Sequence, residues 1–537
     1  MTDNRYYLKP NVVIEPLIDS WYAWSHLISP ATHAMNLLGR QFPIMDSYIA
    51  APDTHAEAVL NPRLRGGPFI DFGGIRASEV ATLRDKTEKD RAKLIQFCHA
   101  IQELDRLLAV EATGFGLESL YPKIPDPLKG FVELYYDRNN HANFRFFEPL
   151  LYASEYYDKT AQTIALWLTN NDQRPFCLST PRLSQEHVLH LNIPFDNLGI
   201  DALSAMKRHP QPLPYIRNLL GIGEAEETLF DSFFSTEPPP QYRQYVGDKI
   251  RMRYFGHACI LVETKDVCIL VDPLISYYGY HSEVDHFSDV DLPEVIDYVL
   301  ITHNHQDHIL LETLLPLRHK IKNIVVPQTC SGKLEDPDVK LMFKNIGFNN
   351  VMSIGEMESI EFDDASIVGI PFLGEHSDLN ILTKCCYLVK IGGFKLLFLA
   401  DSRILEPLLY AHIQKQIGDV DVLFLGMECD GAPLSWLYGP LMPKKLPRDK
   451  DGSRRLAGSD CAKGISLIEI FHPKEVYIYA MGQEPWVEFI SSVKYTDESN
   501  PIVQSNMLVE LCHRRGVVAE RLFGEKELLY DRQLTMS

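Results

Sequence analysis

Apolar runs that end abruptly in polar residues recur along the second half of the chain. Tyr298-Val299-Leu300-Ile301 reads as a buried strand, and Ile309 to Leu315 begins a helical pattern. Ile250 to Tyr254 alternates, and Cys259–Glu263 and Val267–Val271 flank Thr264-Lys265-Asp266 as in a hairpin. Phe394 to Leu399, Val422 to Leu425 and Glu475 to Tyr479 predict further strands. In the first half, Leu94, Phe97, Cys98, Ile101, Leu104, Leu107 and Leu108 keep helical spacing behind Thr87-Glu88-Lys89-Asp90, which resembles a capping box. Phe131–Tyr136 and Phe144–Phe147 predict strands joined by a turn at Asn139-Asn140. Residues 1–80 show no usable period and read as irregular. The prolines of Thr236-Glu237-Pro238-Pro239-Pro240-Gln241 predict a stiff segment. They place a boundary near 245, between a mixed α/β domain (1–245) and a second domain (246–537).

Composition narrows the function classes. The 537 residues are 45% hydrophobic, enough for sizeable cores, and the net charge of −20 argues against a nucleic-acid partner. No run approaches the ~18–20 apolar residues of a membrane span. Met1-Thr2-Asp3-Asn4-Arg5 does not open a leader peptide, so no membrane is expected and the expected location is cytoplasmic. The ten cysteines form no C-x-x-C pair and read as reduced core residues.

The chemistry concentrates in His303-Asn304-His305-Gln306-Asp307-His308, between the predicted strand and helix. If this stretch is extended, His303 and His305 project the same way and can grip one ion. Asp307 and His308, past the bend, can grip a second. Later run ends add Asp272, Glu375, His376, Asp401 and Glu428. A basic stretch, Pro443 to Leu456, carries Lys444, Lys445, Arg448, Lys450, Arg454 and Arg455 against Asp449 and Asp451, and its prolines and glycine read as a loop. No G-x-G-x-x-G fingerprint for a flavin or nicotinamide is present.

His-x-His-x-Asp-His after an apolar strand resembles the metallo-β-lactamase superfamily, which implies an α/β fold with an αββα sandwich in the second domain. The resemblance implies that Asp272, with Gly256-His257-Ala258, supports the ligand histidines, and that Asp401 bridges two ions. Hydrolases of the superfamily place a histidine where this chain offers either Glu375 or His376. They place another after the strand at Glu475–Tyr479, where Ala480-Met481-Gly482-Gln483 has none. His472 precedes that strand, at its wrong end.

The order His-x-His-x-Asp-His, Glu375, Asp401 is similar to the non-haem diiron β-hydroxylases of nonribosomal peptide synthetase pathways. That resemblance implies two Fe ions, one held by His303, His305 and Glu375, the other by Asp307 and His308, with Asp401 bridging. It implies O2 as co-substrate and an external electron donor, a reductase. It also implies a substrate amino acid tethered to a peptidyl carrier domain, and a homodimer formed through the N-terminal domain. Glu428 is a further candidate ligand or supporting group. Carboxylate-rich donor sets suit redox-active iron, whereas zinc has no redox chemistry. The alternatives are a dinuclear metallohydrolase of the lactonase or phosphodiesterase type, and a non-catalytic carrier-binding module.

Overall fold

A strand buried on both faces needs apolar residues at every position, and a parallel sheet covered on both sides provides that setting. The computed structural model describes residues 4–280, 282–362 and 365–532, and two sheets covered on both faces, each mixing parallel and antiparallel pairs, dominate its second half. The first runs Val351–Ile354, Ile321–Pro327, Ile296–Leu300, Cys268–Val271, Ile260–Glu263, Ile250–Tyr254, Lys526–Tyr530. The second runs Ser359–Phe362, Ala365–Ile370, Cys386–Ile391, Phe394–Phe398, Val422–Gly426, Glu475–Tyr479, Val518–Arg521. The hairpin expected around Thr264 is present, with Ile260 opposite Val271.

Side chains alternate between two cores. Ile260, Val262, Ile269 and Val271 meet Ile367, Tyr387, Val389 and Phe398 between the sheets. Leu261, Cys268 and Leu270 face the other way. Helices Pro407–Ile417, Cys461–Phe471 and Asn500–Arg514 cover the outside of the second sheet. The outside of the first is covered by Leu311–Leu317 and Val339–Asn345, and then, in one continuous core, by the N-terminal half. That half holds a four-stranded antiparallel sheet, Trp21–Tyr22, Val12–Ile18, Gln162–Leu168, Leu189–Leu191. The hairpin Val132–Tyr136/Ala142–Phe146 is also present. No helix or strand lies between Phe234–Ser235 and Ile250–Tyr254. Among the described residues no helix is long and apolar enough to cross a membrane.

Three expectations fail for physical reasons. Residues 4–80 are largely regular, with helices Pro30–Asn36, Phe42–Ala50 and Pro52–Val59. Every residue of Ser25–Leu37 is buried, so no polar face marks a period. Thr87 lies inside helix Ala77–Asp90 and bonds back to the Leu83 carbonyl. The next helix, Ala92–Glu111, starts behind Arg91 with no side-chain cap. The basic stretch is not all loop, since Arg448–Ser453 forms a short helix with Pro447 at its N-cap, where the missing N–H interrupts no helical hydrogen bond.

Buried charge ties the halves together. Arg174 forks onto Glu312 (2.8 and 2.7 Å), bonds Glu15 (2.9 Å), and lies over the Phe489 ring at 3.8 Å. Glu312 stands on the helix that follows the histidine loop, so the N-terminal half grips that loop's C-terminal anchor. A second junction is Glu148, which accepts the Asp338 N–H and is buried beside it.

Candidate metal centre

In open α/β sheets, sites form beyond the carboxyl ends of the strands. Strand ends here deliver His257, Asp272, the 303–308 loop, Glu375, Asp401 and Glu428 to one region. The backbone is bent sharply there. His257, Asp272, Glu375, Ala400 and Ala480 have φ of 50, 39, 64, 45 and 52°, a region disfavoured for residues with a Cβ and typical of functional sites.

His303 and His305 do not share a strand face as expected. The chain turns after His303, and the rings converge through those turns, 4.7 Å apart. A hydrogen-bond chain sets their neighbours' tautomers. Asp272 Oδ2 accepts from Thr302 Oγ1 (2.6 Å) and from His308 Nδ1 (2.8 Å). Because Thr302 spends its proton on Asp272, it accepts from His303 Nδ1 (3.0 Å). Both imidazoles therefore turn Nε2 lone pairs toward the centre. His305 is reversed. Its Nδ1 lies 3.2 Å from Glu375 Oε1, and its Nε2 meets the Tyr438 hydroxyl at 3.0 Å.

Donor atoms sharing an ion at about 2.1 Å stand about 3 Å apart when adjacent and up to about 4 Å apart when opposite, and the spacings here fall in that range. His308 Nε2 is 3.1 Å from Asp401 Oδ2, which is 3.9 Å from His303 Nε2. Glu375 Oε2 is 3.8 Å from His303 Nε2. His303 Nε2, Glu375 Oε2 and Asp401 Oδ1 are buried without a hydrogen-bond partner, which is costly unless something else occupies those lone pairs. Three donor groups emerge: His303, His305, Glu375 and His376; His303, His308 and Asp401; His257, Asp307 and His308. Both rivals, Glu375 and His376, thus reach the site. Glu428 belongs to none of these groups, although it lines the same cavity of 330 Å³.

His257 was read only as part of the Gly256-His257-Ala258 match and was not named as a donor. Its Nδ1 accepts the Gly482 N–H (3.1 Å), so its proton sits on Nε2, 3.3 Å from Asp307 Oδ2. Nε2 faces that carboxylate without forming a hydrogen bond to it. Tyr438, in helix Leu434–Tyr438, was also missed. The Gly256-His257 pair at a strand end carried a sequence signal; Tyr438 carried none.

The electrostatics favour a bound cation. Burial, reinforced by the surrounding imidazoles, holds His303 well below the usual imidazole range. Burial pulls His308 down too, but Asp401, Asp272 and Asp307 outweigh it and leave it well above. Burial raises Glu375 to about 7 against the pull of His305. Burial raises Asp307 as well, yet His308 and His257 together hold it below the carboxylate range.

Residues 7–238 match the N-terminal domain of the diiron non-haem β-hydroxylases, and residues 251–431 match a β-lactamase superfamily domain. Over 533 residues the chain is 38% identical to the 4-amino-L-phenylalanyl-[CmlP-peptidyl-carrier-protein] 3-hydroxylase of Streptomyces venezuelae, covering 98% of this chain and 99% of that protein. The chain belongs to the diiron non-haem β-hydroxylase family. Its fold superposes on the crystal structure of CmlA, a diiron β-hydroxylase from Streptomyces venezuelae, with a TM-score of 0.92. The sequence identity is 36%, over 98% of this chain and 100% of that one. A UPF0173 protein of Pyrococcus abyssi is 32% identical over 177 residues, 33% of this chain and 69% of that protein. The metallo-β-lactamase sandwich and the expected hydroxylase activity both stand, and membership implies iron and O2. The hydrolase alternative gains no support from the full-length relative.

Proposed function

We propose that this β-hydroxylase acts on an amino acid held as a thioester on a peptidyl carrier domain, with two electrons drawn from an external reductase. The observation that carries this reading is the full-length relation, across both halves, to a hydroxylase named for a carrier-tethered substrate. In this reading residues 1–245 form the carrier-facing and dimer-forming unit, and 246–537 the catalytic one.

His303, His305 and Glu375 would hold one iron, Asp307 and His308 the other, with Asp401 shared. Bound iron supplies the redox chemistry, in which the C–H bond, O2, two electrons and two protons give the alcohol and one water. The chain's own residues do the positioning. Asp272 holds His308 directly and His303 through Thr302 in their donor tautomers, Tyr438 does the same for His305, and His257 faces Asp307 at 3.3 Å. The segment from Gly431 to Leu437 lines the cavity. It is clamped to the N-terminal half by Arg40, whose guanidinium bonds the Trp436 carbonyl (2.6 Å), and by Trp436 Nε1 on the Gly66 carbonyl (3.1 Å). That roof limits water at the reacting carbon.

Metal analysis is the first test. Protein purified in air should hold about two irons per chain and hydroxylate a carrier-bound amino acid only with O2 and a reductant. Two zincs with lactone or phosphodiester hydrolysis would overturn the reading. Glu375→Ala should lose iron or uncouple O2 use, because an anionic donor is gone, while His376→Ala should keep both irons. The reverse pattern would make His376 the ligand.

A further inference from the structure

The metal cavity contains one carboxylate that the donor set does not use. Glu428 lies just beyond strand Val422–Gly426, which pairs in parallel with Phe394–Phe398, the strand leading to Asp401. Neighbouring strands stand about 4.8 Å apart, so the loops bearing Glu428 and Asp401 leave the sheet side by side, and both residues line the one cavity. Its Oε2 accepts the Gly431 N–H (2.5 Å), and its Oε1 accepts the Tyr495 hydroxyl at 3.2 Å. Both partners are neutral. Among the described residues no cation pairs with it, and Arg65, the one Lys or Arg lining the cavity, pairs with Glu488 at 3.6 Å. The other lining carboxylates, Asp307, Glu375 and Asp401, face imidazoles. A sheltered carboxylate without a cation is costly. Two hydrogen bonds still leave lone pairs for a further donor.

A carrier-tethered amino acid has its carboxyl tied up in the thioester, so its α-ammonium is the one charge beside the reacting carbon. We infer that Glu428 is the anchor for that α-ammonium, making it the residue that selects aminoacyl over plain acyl thioesters and sets which part of the substrate faces the metal site. The inference rests on the carrier-bound amino acid reading above. The ammonium nitrogen and the β-carbon are both bonded to the α-carbon. An anchor one strand over from Asp401 therefore leaves the β-carbon on the metal side. Burial raises the Glu428 carboxyl to about 7, with Asp430 and Asp401 adding to the rise against the Gly431 N–H; a bound ammonium would relieve that mismatch.

The test uses the resting, iron-loaded enzyme and a carrier domain bearing either the 4-amino-L-phenylalanyl thioester or the matching thioester without the α-amine. Wild type should bind the first at least about 30-fold tighter. Glu428→Gln should erase that preference by weakening the aminoacyl carrier alone, with iron content at the wild-type level. Glu428→Asp, which keeps the charge on a shorter arm, should recover part of it. Equal weakening of both carriers, or an unchanged preference in Glu428→Gln, overturns the anchor. Turnover separates the two readings. A wild type that prefers the aminoacyl carrier yet hydroxylates nothing on it defeats the proposed reaction and leaves the anchor standing.

Discussion

The two halves of the molecule meet at the metal centre in unlike ways. The C-terminal half supplies every donor atom near the centre, from strand ends and the loops that follow them. Among the described residues the N-terminal half supplies none. It contributes Arg174, Arg40 and Glu148, which hold the helix behind the histidine loop, the roof and the Asp338 turn. Chemistry and support are thus divided between chain segments far apart in sequence. The sandwich carries the donors, and the N-terminal half holds elements next to them in place.

The largest effect expected from that division is at Arg174. Arg174→Met leaves Glu312 buried without its guanidinium, while Glu15 keeps Arg182 at 2.9 Å, and urea unfolding should show a loss of about 3–5 kcal/mol. A loss under about 1 kcal/mol would mean that the N-terminal half merely rests on the sandwich.

Glu148 gives the comparison a pH dependence. Burial, with Asp338 and Asp336 adding to it against the Asp338 N–H, raises its carboxyl from 4.5 to about 8. The native state then keeps a proton that the unfolded chain releases, so stability falls as pH rises from about 4.5 to about 8. The cost is on the order of a few kcal/mol and complete above that window. Glu148→Gln should narrow the gap in Tm between about pH 5 and about pH 8.5. An unchanged gap would remove Glu148 from the junction's energetics.

Tyr438 tests whether the roof acts on the ligands. Tyr438→Phe deletes the hydroxyl at His305 Nε2, and iron affinity, read by chelator competition, should drop about 10- to 100-fold with the fold intact. An unaltered affinity would reduce the roof to a cover.

The smallest effect concerns the basic segment. Arg454 and Arg455 bond the backbone carbonyls of Ser377, Asp430 and Gly431, so they are structural. Lys444, Lys445, Arg448 and Lys450 are exposed and free to meet an acidic carrier. Reversing those four charges should lower kcat/KM on carrier-bound substrate by about tenfold at low salt, fading near 1 M. Equal kinetics at both salts would place the carrier elsewhere.

The order of polar residues at the ends of apolar runs was readable without a structure. Strands buried on both faces announce themselves by composition, and three histidines and an aspartate in one short loop announce a metal. From that pattern came the donor candidates, and from the family resemblance it carries came the expected sandwich and the doubt about a hydrolase. Tertiary structure alone decided the rest. It brought Glu375 and His376 to the same donor group, left Glu428 outside it, and set Tyr438 on His305 across 133 residues of chain. It also revealed regular helices where residues 1–80 showed no period. The reason is the same in each case. Sequence periodicity reports how a segment divides its faces between solvent and core. It is silent where every face is buried, and it does not say which distant side chain will supply a hydrogen bond or a counter-charge.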